Sequence, residues 1–206
     1  MADNKTAHIF LTGCSIKKFN DFSIISESDF VITTNLGVLH EYIASRINAY
    51  FISTNSHIKY KKITELCLQI ADTNTNNSCI FYVKKGHKKN MKNMCPNRAY
   101  QIIDSDLPLI SNFSERMKIK SNTVFRLFSI VNTLGYNEVY LWGADYILKE
   151  PIHRHFYEFT HVQKKQPDEF SLALYRQIKR DFNSMTIKHV CPENSKSYLF
   201  ESIYVE

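Results

Sequence analysis

The stretch Asn122-Thr-Val-Phe-Arg-Leu-Phe-Ser-Ile-Val-Asn-Thr-Leu-Gly-Tyr-Asn-Glu-Val-Tyr-Leu-Trp-Gly-Ala-Asp145 changes its hydrophobic period part-way along. Val124, Leu127, Phe128, Val131 and Leu134 recur at three- and four-residue steps, the face of a helix, and Gly135 supplies its stop. Glu138-Val-Tyr-Leu-Trp142 then reads as a short, near-continuous apolar strand of the kind covered on both faces. Outward from this segment the pattern repeats. Ala7 to Thr12, Asp29 to Thr34, Ala49 to Ser53, Cys79 to Val83 and Thr186 to Cys191 are further β-branched or aromatic runs. Pro167-Asp168-Glu169 opens a second helix whose face carries Phe170, Leu174, Ile178 and Phe182, and that helix leads into the last run. Helices alternating with strands at this spacing predict an α/β fold, a Rossmann-like domain with a mostly parallel sheet flanked by helices.

The chain has 206 residues, 44% of them hydrophobic and 13% aromatic, with 5 Gly and 5 Pro. That composition excludes disordered, fibrous and low-complexity classes. The length predicts a single α/β domain over residues 1–206, with 144–167 as a short lid or active-site loop inside it. The segment from Asp72 to Asp106 is polar and reads as interrupted by a single strand. The formal charge is +6. Lys84, Lys85, Lys88, Lys89, Lys92 and Arg98 stand together with no acid among them, so the remainder of the chain is neutral. A confined basic run is not the stripe of a nucleic-acid binder; it is either a solvated loop or a patch for a phosphate, an acidic glycan or an anionic inner leaflet. Five cysteines without a CxxC pair point to reduced thiols. The N-terminus runs into only a short apolar stretch, His8 to Leu11, and no window reaches membrane-span length. The expectation is a cytoplasmic protein, at most peripheral to the inner membrane, with its oligomeric state left open.

Parallel sheets bind ligands beyond the carboxyl ends of their strands. The segments there are Gly13 to Ser15, Asn35 to Gly37, Ser53 to Ser56, Gly143 to Tyr146 and Pro192 to Ser195. They are rich in Gly, Asn, Ser and Thr, which present backbone N–H groups and hydroxyls to phosphate or ribose, although turn chemistry selects the same residues. Gly13-Cys14-Ser15 is neither a GxGxxG nor a Walker loop. Asp104-Ser105-Asp106 has the spacing of a metal-binding DxD and equally that of a helix cap or turn. His153, His155 and His161 cluster with Arg154, Tyr146 and Tyr157. An imidazole is the side chain best matched to taking a proton from a hydroxyl near neutral pH; structural hydrogen bonding and zinc binding are the other readings.

The Ser121 to Asp145 segment resembles the helix, Leu-Gly-Tyr/Phe, strand, Gly-x-Asp motif of the bacterial sialyltransferases of glycosyltransferase family 42. Enzymes resembling 6-hydroxymethylpterin diphosphokinase share that motif. Gly13-Cys-Ser-Ile-Lys17 is similar to the family's opening Gly-x-Gly-x-Ser-Leu-Lys loop. Thr34-Asn35 and Ala49-Tyr-Phe-Ile-Ser-Thr-Asn55 resemble its Cys-Asn and Phe-Tyr-Asn turns, and Cys191-Pro-Glu-Asn-Ser195 its Cys-Pro-Asn-Ser turn. The second glycine of the opening loop is absent here, and the stretch after Gly-x-Asp is shorter.

The resemblance implies a GT-A-like domain that uses a CMP-activated sugar without metal or other cofactor. It places Gly13 and Ser15 by the cytidine phosphate. Asn35 and Asn55 (or Ser53) would contact nucleotide and sugar hydroxyls, and Thr123 the donor sugar. Lys120 stands for an arginine near that sugar, and Asn122, Gly143 and Asp145 belong to the same substrate-binding set. The general base would be His161, with His155 as alternate. Tyr146 and Tyr157 would correspond to the tyrosines on the leaving phosphate. The implied function is an inverting, sialyltransferase-like transfer onto a bacterial surface glycan, with the donor sugar open because a shorter lid encloses less of it. A pterin diphosphokinase-like phosphotransferase requiring Mg²⁺ and a non-catalytic nucleotide-binding module are the alternatives.

Overall fold

The computed structural model describes residues 5–52, 58–84, 88–103, 122–150, 155–157 and 169–205. The fold is α/β, Rossmann-like, with parallel strands flanked by helices. It divides into two compact units, residues 1–30 with 127–206 and residues 31–126.

The first unit is built on β1 (Thr6–Phe10), β6 (Glu138–Trp142), β7 (Thr186–Cys191) and β8 (Glu201–Tyr204). They lie side by side in that order, all parallel. Phe10 is level with Trp142, and Trp142 with Val190. Trp142 is fully buried at the centre. Phe10 stacks on it at 4.9 Å between centroids, Phe22 stacks at 5.5 Å and Phe19 meets it edge-on at 5.3 Å. Its indole N–H is not wasted: it donates to His8 Nδ1 at 3.0 Å. With Nδ1 accepting, the His8 proton sits on Nε2 and donates to Asp29 Oδ2 at 3.1 Å. A buried histidine on a core strand is thereby satisfied at both nitrogens.

Helix α4 (Thr123–Thr133) ends as its sequence requires. Gly135 takes φ +81°; its N–H donates to the Asn132 carbonyl and the Tyr136 N–H to the Val131 carbonyl, the paired bonds of a Schellman stop. Phe128 of α4 stacks on Phe182 at 5.9 Å, just past α5 (Glu169–Asp181).

The second unit carries β2 (Phe30–Thr34), β3 (Ala49–Ile52), β4 (Ile80–Lys84) and β5 (Tyr100–Ile103), ordered β5-β4-β3-β2 and parallel. Its helices are α1 (Glu41–Arg46), α2 (Ile58–Asn74) and α3 (Lys88–Met94). Here the sequence reading needs correction. Asp72 to Asp106 holds two strands, β4 and β5, and a helix, not a single strand. β5 pairs only with β4 among the described residues, and such a margin strand tolerates the exposed Gln101 in its middle, so it shows no apolar run. β8 was hidden in the same way.

The basic run is also split. Lys88, Lys89 and Lys92 are exposed on or beside the face of α3. Arg98 turns inward: its Nε donates to Asp72 Oδ1 at 2.6 Å, its amino groups donate to the carbonyls of Asp72, Thr75 and Asn76, and its guanidinium lies over Phe81. Arg98 is a structural staple, not part of a surface patch. All five cysteines are buried and unbridged, and burial lifts the Cys67, Cys79, Cys95 and Cys191 thiols to about 11. Among the described residues no helix is long and apolar enough to cross a membrane.

Candidate functional site

In the first unit the chain leaves β1 and β6 side by side, and the two turns lock together. The Leu11 N–H donates to the Trp142 carbonyl at 2.9 Å and the Gly13 N–H to the Gly143 carbonyl at 3.0 Å. The crossing is close enough to dictate glycine twice. A Cβ on Gly13 would fall onto the Gly143 carbonyl oxygen and 2.6 Å from the Asp145 carboxyl. Gly143 has φ +66°, and a Cβ there would lie 2.7 Å from Ile16 Cδ1.

Gly13 precedes a short 3-10 turn, Cys14–Lys18. Ser15, the second residue of that turn, donates its N–H to Asp145 Oδ2 at 2.8 Å and its hydroxyl to Asp145 Oδ1. The Cys14 thiol also bonds the carboxyl. Asp145 is fully buried and Ser15 nearly so. Burial pushes the Asp145 acid above its ordinary value, against the pull of the Ser15 and Cys14 hydrogen bonds and the Lys18 ammonium. This cluster ties the turn after β1 to the turn after β6 and fixes both. Tyr175 of α5, wholly buried, sits within electrostatic reach of Asp145 and Tyr146; burial first, then those two groups, raise its phenol well above the usual value.

Against this braced turn lies His155. It forms an isolated antiparallel bridge with Gly13, and the Phe156 N–H donates to the Thr12 carbonyl at 2.9 Å. The Thr12 hydroxyl and His155 Nδ1 are 2.7 Å apart. Tyr157 stacks on the imidazole at 5.2 Å and 9°, while Phe156 is buried beneath. His155 and Tyr157 are themselves half-buried. The structure therefore brings Gly13, Ser15, Gly143, Asp145 and His155 to one end of one unit. Tyr157 is there through its ring contact with His155, and Tyr146 through Asp145 and Tyr175. An open depression of about 640 Å³, lined by Glu193, Asn194, Lys196 and Tyr204, lies after β7.

In the second unit Asn35 opens the 3-10 turn after β2 with φ +48°, a conformation Asn tolerates better than most residues. Its carbonyl accepts from the Tyr50 hydroxyl at 3.0 Å. Asn122 caps α4, its Oδ1 accepting the Val124 N–H at 2.8 Å, and Thr123 is the half-buried first residue of that helix. Ser53, Asn55, Lys120, His153, His161 and the Asp104-Ser105-Asp106 triplet lie outside the described residues, as does most of 144–167. Among the described residues no three His, Cys, Asp or Glu side chains converge as a metal site.

Sequence reasoning missed two members of this constellation. Thr12 is signalled only by being the first hydroxyl after β1. Tyr175 reads as one more aromatic on an amphipathic helix. Compared with protein-family models, with curated proteins and with solved structures, the chain has no significant match to any.

Proposed function

We propose that this chain is an inverting, metal-independent glycosyltransferase of sialyltransferase-like type, moving a sugar from a CMP-activated donor onto a bacterial surface glycan. The observation that carries the reading is the seating of His155: an imidazole fixed by Thr12 over a glycine turn at the carboxyl end of a parallel strand, where such folds place ligands.

With Nδ1–H donating to Thr12 Oγ1, the neutral ring keeps its second nitrogen in the lone-pair form that a general base needs. Thr12 acts here as the positioning residue. The donor phosphate rests against the turn that follows β1. The acceptor hydroxyl oxygen attacks the anomeric carbon from the face opposite the phosphate. The carbon–oxygen bond to CMP breaks, the phosphate oxygen keeps the electron pair, and the imidazole takes the acceptor proton. A phosphate leaving group needs little acid assistance, so orientation and charge stabilisation supply most of the rate. The Tyr157 and Tyr146 hydroxyls are placed on the departing phosphate in this scheme.

The test uses the full chain with a CMP-sugar and counts released CMP. His155→Asn and His161→Asn are compared, because the resemblance puts His161 first and the seating puts His155 first. Removing the base should slow turnover by about 10²–10⁴-fold while CMP affinity stays within about twofold of the unsubstituted chain's. Wild-type rates in both variants would refute the assignment of an imidazole base. Loss of turnover in EDTA, restored by Mg²⁺, would instead support the phosphotransferase reading.

A further inference from the structure

Helix α4 carries one side chain that its amphipathic pattern does not explain. Arg126 stands between the buried Phe125 and Leu127 and is itself only 6% exposed. Neither its Nε nor its Nη1 has a hydrogen-bond partner among the described residues. A buried guanidinium with unmet donors is among the costliest arrangements a protein keeps. Arg98, in the same unit, shows the ordinary solution: it is equally buried and its three nitrogens reach a carboxylate and three carbonyls.

Position tells what Arg126 lacks. It is the fourth residue of α4, and helical side chains lean toward the N-terminus. Its guanidinium is therefore carried back over the first turn, where the peptide dipoles present their positive end and Asn122 caps the Val124 N–H. A second cation is near. Lys84 closes β4 at its carboxyl end, and burial followed by the Arg126 charge lowers its ammonium from the ordinary value. Burial likewise lowers Arg126.

Arg126 and Lys84 thus stand close enough for their charges to interact, one in the first turn of a helix and the other at the end of a strand. Nε–H and Nη1–H lie in the guanidinium plane and point in different directions, so a group with several acceptor oxygens covers them better than a single halide. We infer that Arg126, with the first turn of α4 and Lys84, forms an oxyanion subsite in the second unit that takes a phosphoryl group. The inference rests on the guanidinium and its surroundings and is independent of sugar transfer.

The experiment is calorimetric titration of the full chain with inorganic phosphate, with acetate as the carboxylate arm and with chloride at matched ionic strength as the control. Phosphate should bind at one Arg126-dependent site, acetate at least tenfold more weakly and chloride not measurably. Arg126→Met should weaken phosphate at least tenfold, Arg126→Lys should fall between, and Lys196→Met, at the depression after β7, should leave phosphate binding intact. In phosphate-free buffer Arg126→Met should melt no lower than the unsubstituted chain, because an apolar chain replaces an unpaired buried charge. Equal phosphate affinity in the unsubstituted chain and Arg126→Met would overturn the subsite, as would a lower melting point of Arg126→Met without phosphate. Arg126→Lys gives a second reading: unchanged phosphate affinity in that variant overturns the proposal. Acetate binding as tightly as phosphate would overturn the phosphoryl preference.

Discussion

Replacing Gly13 with alanine isolates the closeness of the β1 and β6 turns from every other role of glycine. Gly13 has φ −62°, a value any residue adopts, so alanine brings no backbone strain. The cost is steric alone. The new methyl would sit on the Gly143 carbonyl oxygen and 2.6 Å from the Asp145 carboxyl. The first obstacle is backbone, and the second is a side chain fixed by Ser15. Neither can swing away. Overpacking of this kind costs about 1–3 kcal/mol, and separating the turns also breaks the Gly13 to Gly143 hydrogen bond, about 1 kcal/mol more. A loss near 3 kcal/mol lowers the melting temperature of a chain this size by roughly 6–12 °C. Gly135→Ala is the internal reference. Gly135 has φ +81° and open space around its missing Cβ, so only the conformational cost of about 1 kcal/mol remains. Thermal unfolding followed by circular dichroism should rank Gly13→Ala well below Gly135→Ala. Equal shifts in the two variants would refute the close crossing as the reason for glycine at position 13.

Under the proposed sugar transfer, Thr12→Val removes the hydroxyl 2.7 Å from His155 Nδ1 while keeping its shape; CMP release should slow several-fold with the melting temperature nearly unchanged, as read by parallel kinetic and thermal scans. His189 is wholly buried and burial lowers its imidazole to about 3, so it stays neutral in the folded chain while the unfolded chain takes a proton as pH falls below 6.5. Stability tied to it is therefore present above pH 6.5 and lost as pH falls toward 3, and His189→Leu should reduce the loss seen by urea unfolding between pH 7 and pH 5. Asp145 has the opposite sign. Its folded acid is raised above 3.8, so the folded state holds more proton just above that value and stability falls as pH rises through this window; Asp145→Asn should flatten that slope in the same titration, while lowering stability at every pH because the asparagine amide cannot accept both Ser15 bonds.

Interior strands were the most legible part of the chain. β6 and β7 follow the sequence reading to the residue, since β-branched and aromatic residues mark both even though β7 also carries Lys188 and His189. β5 and β8 pair on one side only among the described residues, carry Gln101 and Glu201, and left no such mark. α2 was missed for a related reason: Cys67, Leu68 and Ala71 make a narrow buried stripe while Ile63 and Leu66 face outward, so the apolar residues do not fall on one face. In the candidate site, glycines and histidine were visible as residue types in the turns after β1 and β6. Their partnership was not, because the Gly13 to His155 bridge joins residues more than a hundred positions apart, and nothing local in a sequence announces such a pairing. Asp145 stood in a motif read as substrate-binding, and the structure adds what the motif cannot, its burial and its bonds to Ser15. Arg126 was passed over because a single charge inside an apolar helical stretch reads as a surface position until its burial is measured.

The five sealed thiols make the protein a convenient carrier for a reporter. A cysteine introduced at exposed Glu27 would be the fastest to meet a maleimide dye while the chain is folded, since the native thiols are shielded and four of them are held protonated at neutral pH. Denaturation would uncover the rest, so the number of dyes attached per chain becomes a direct gauge of how much of the population has opened.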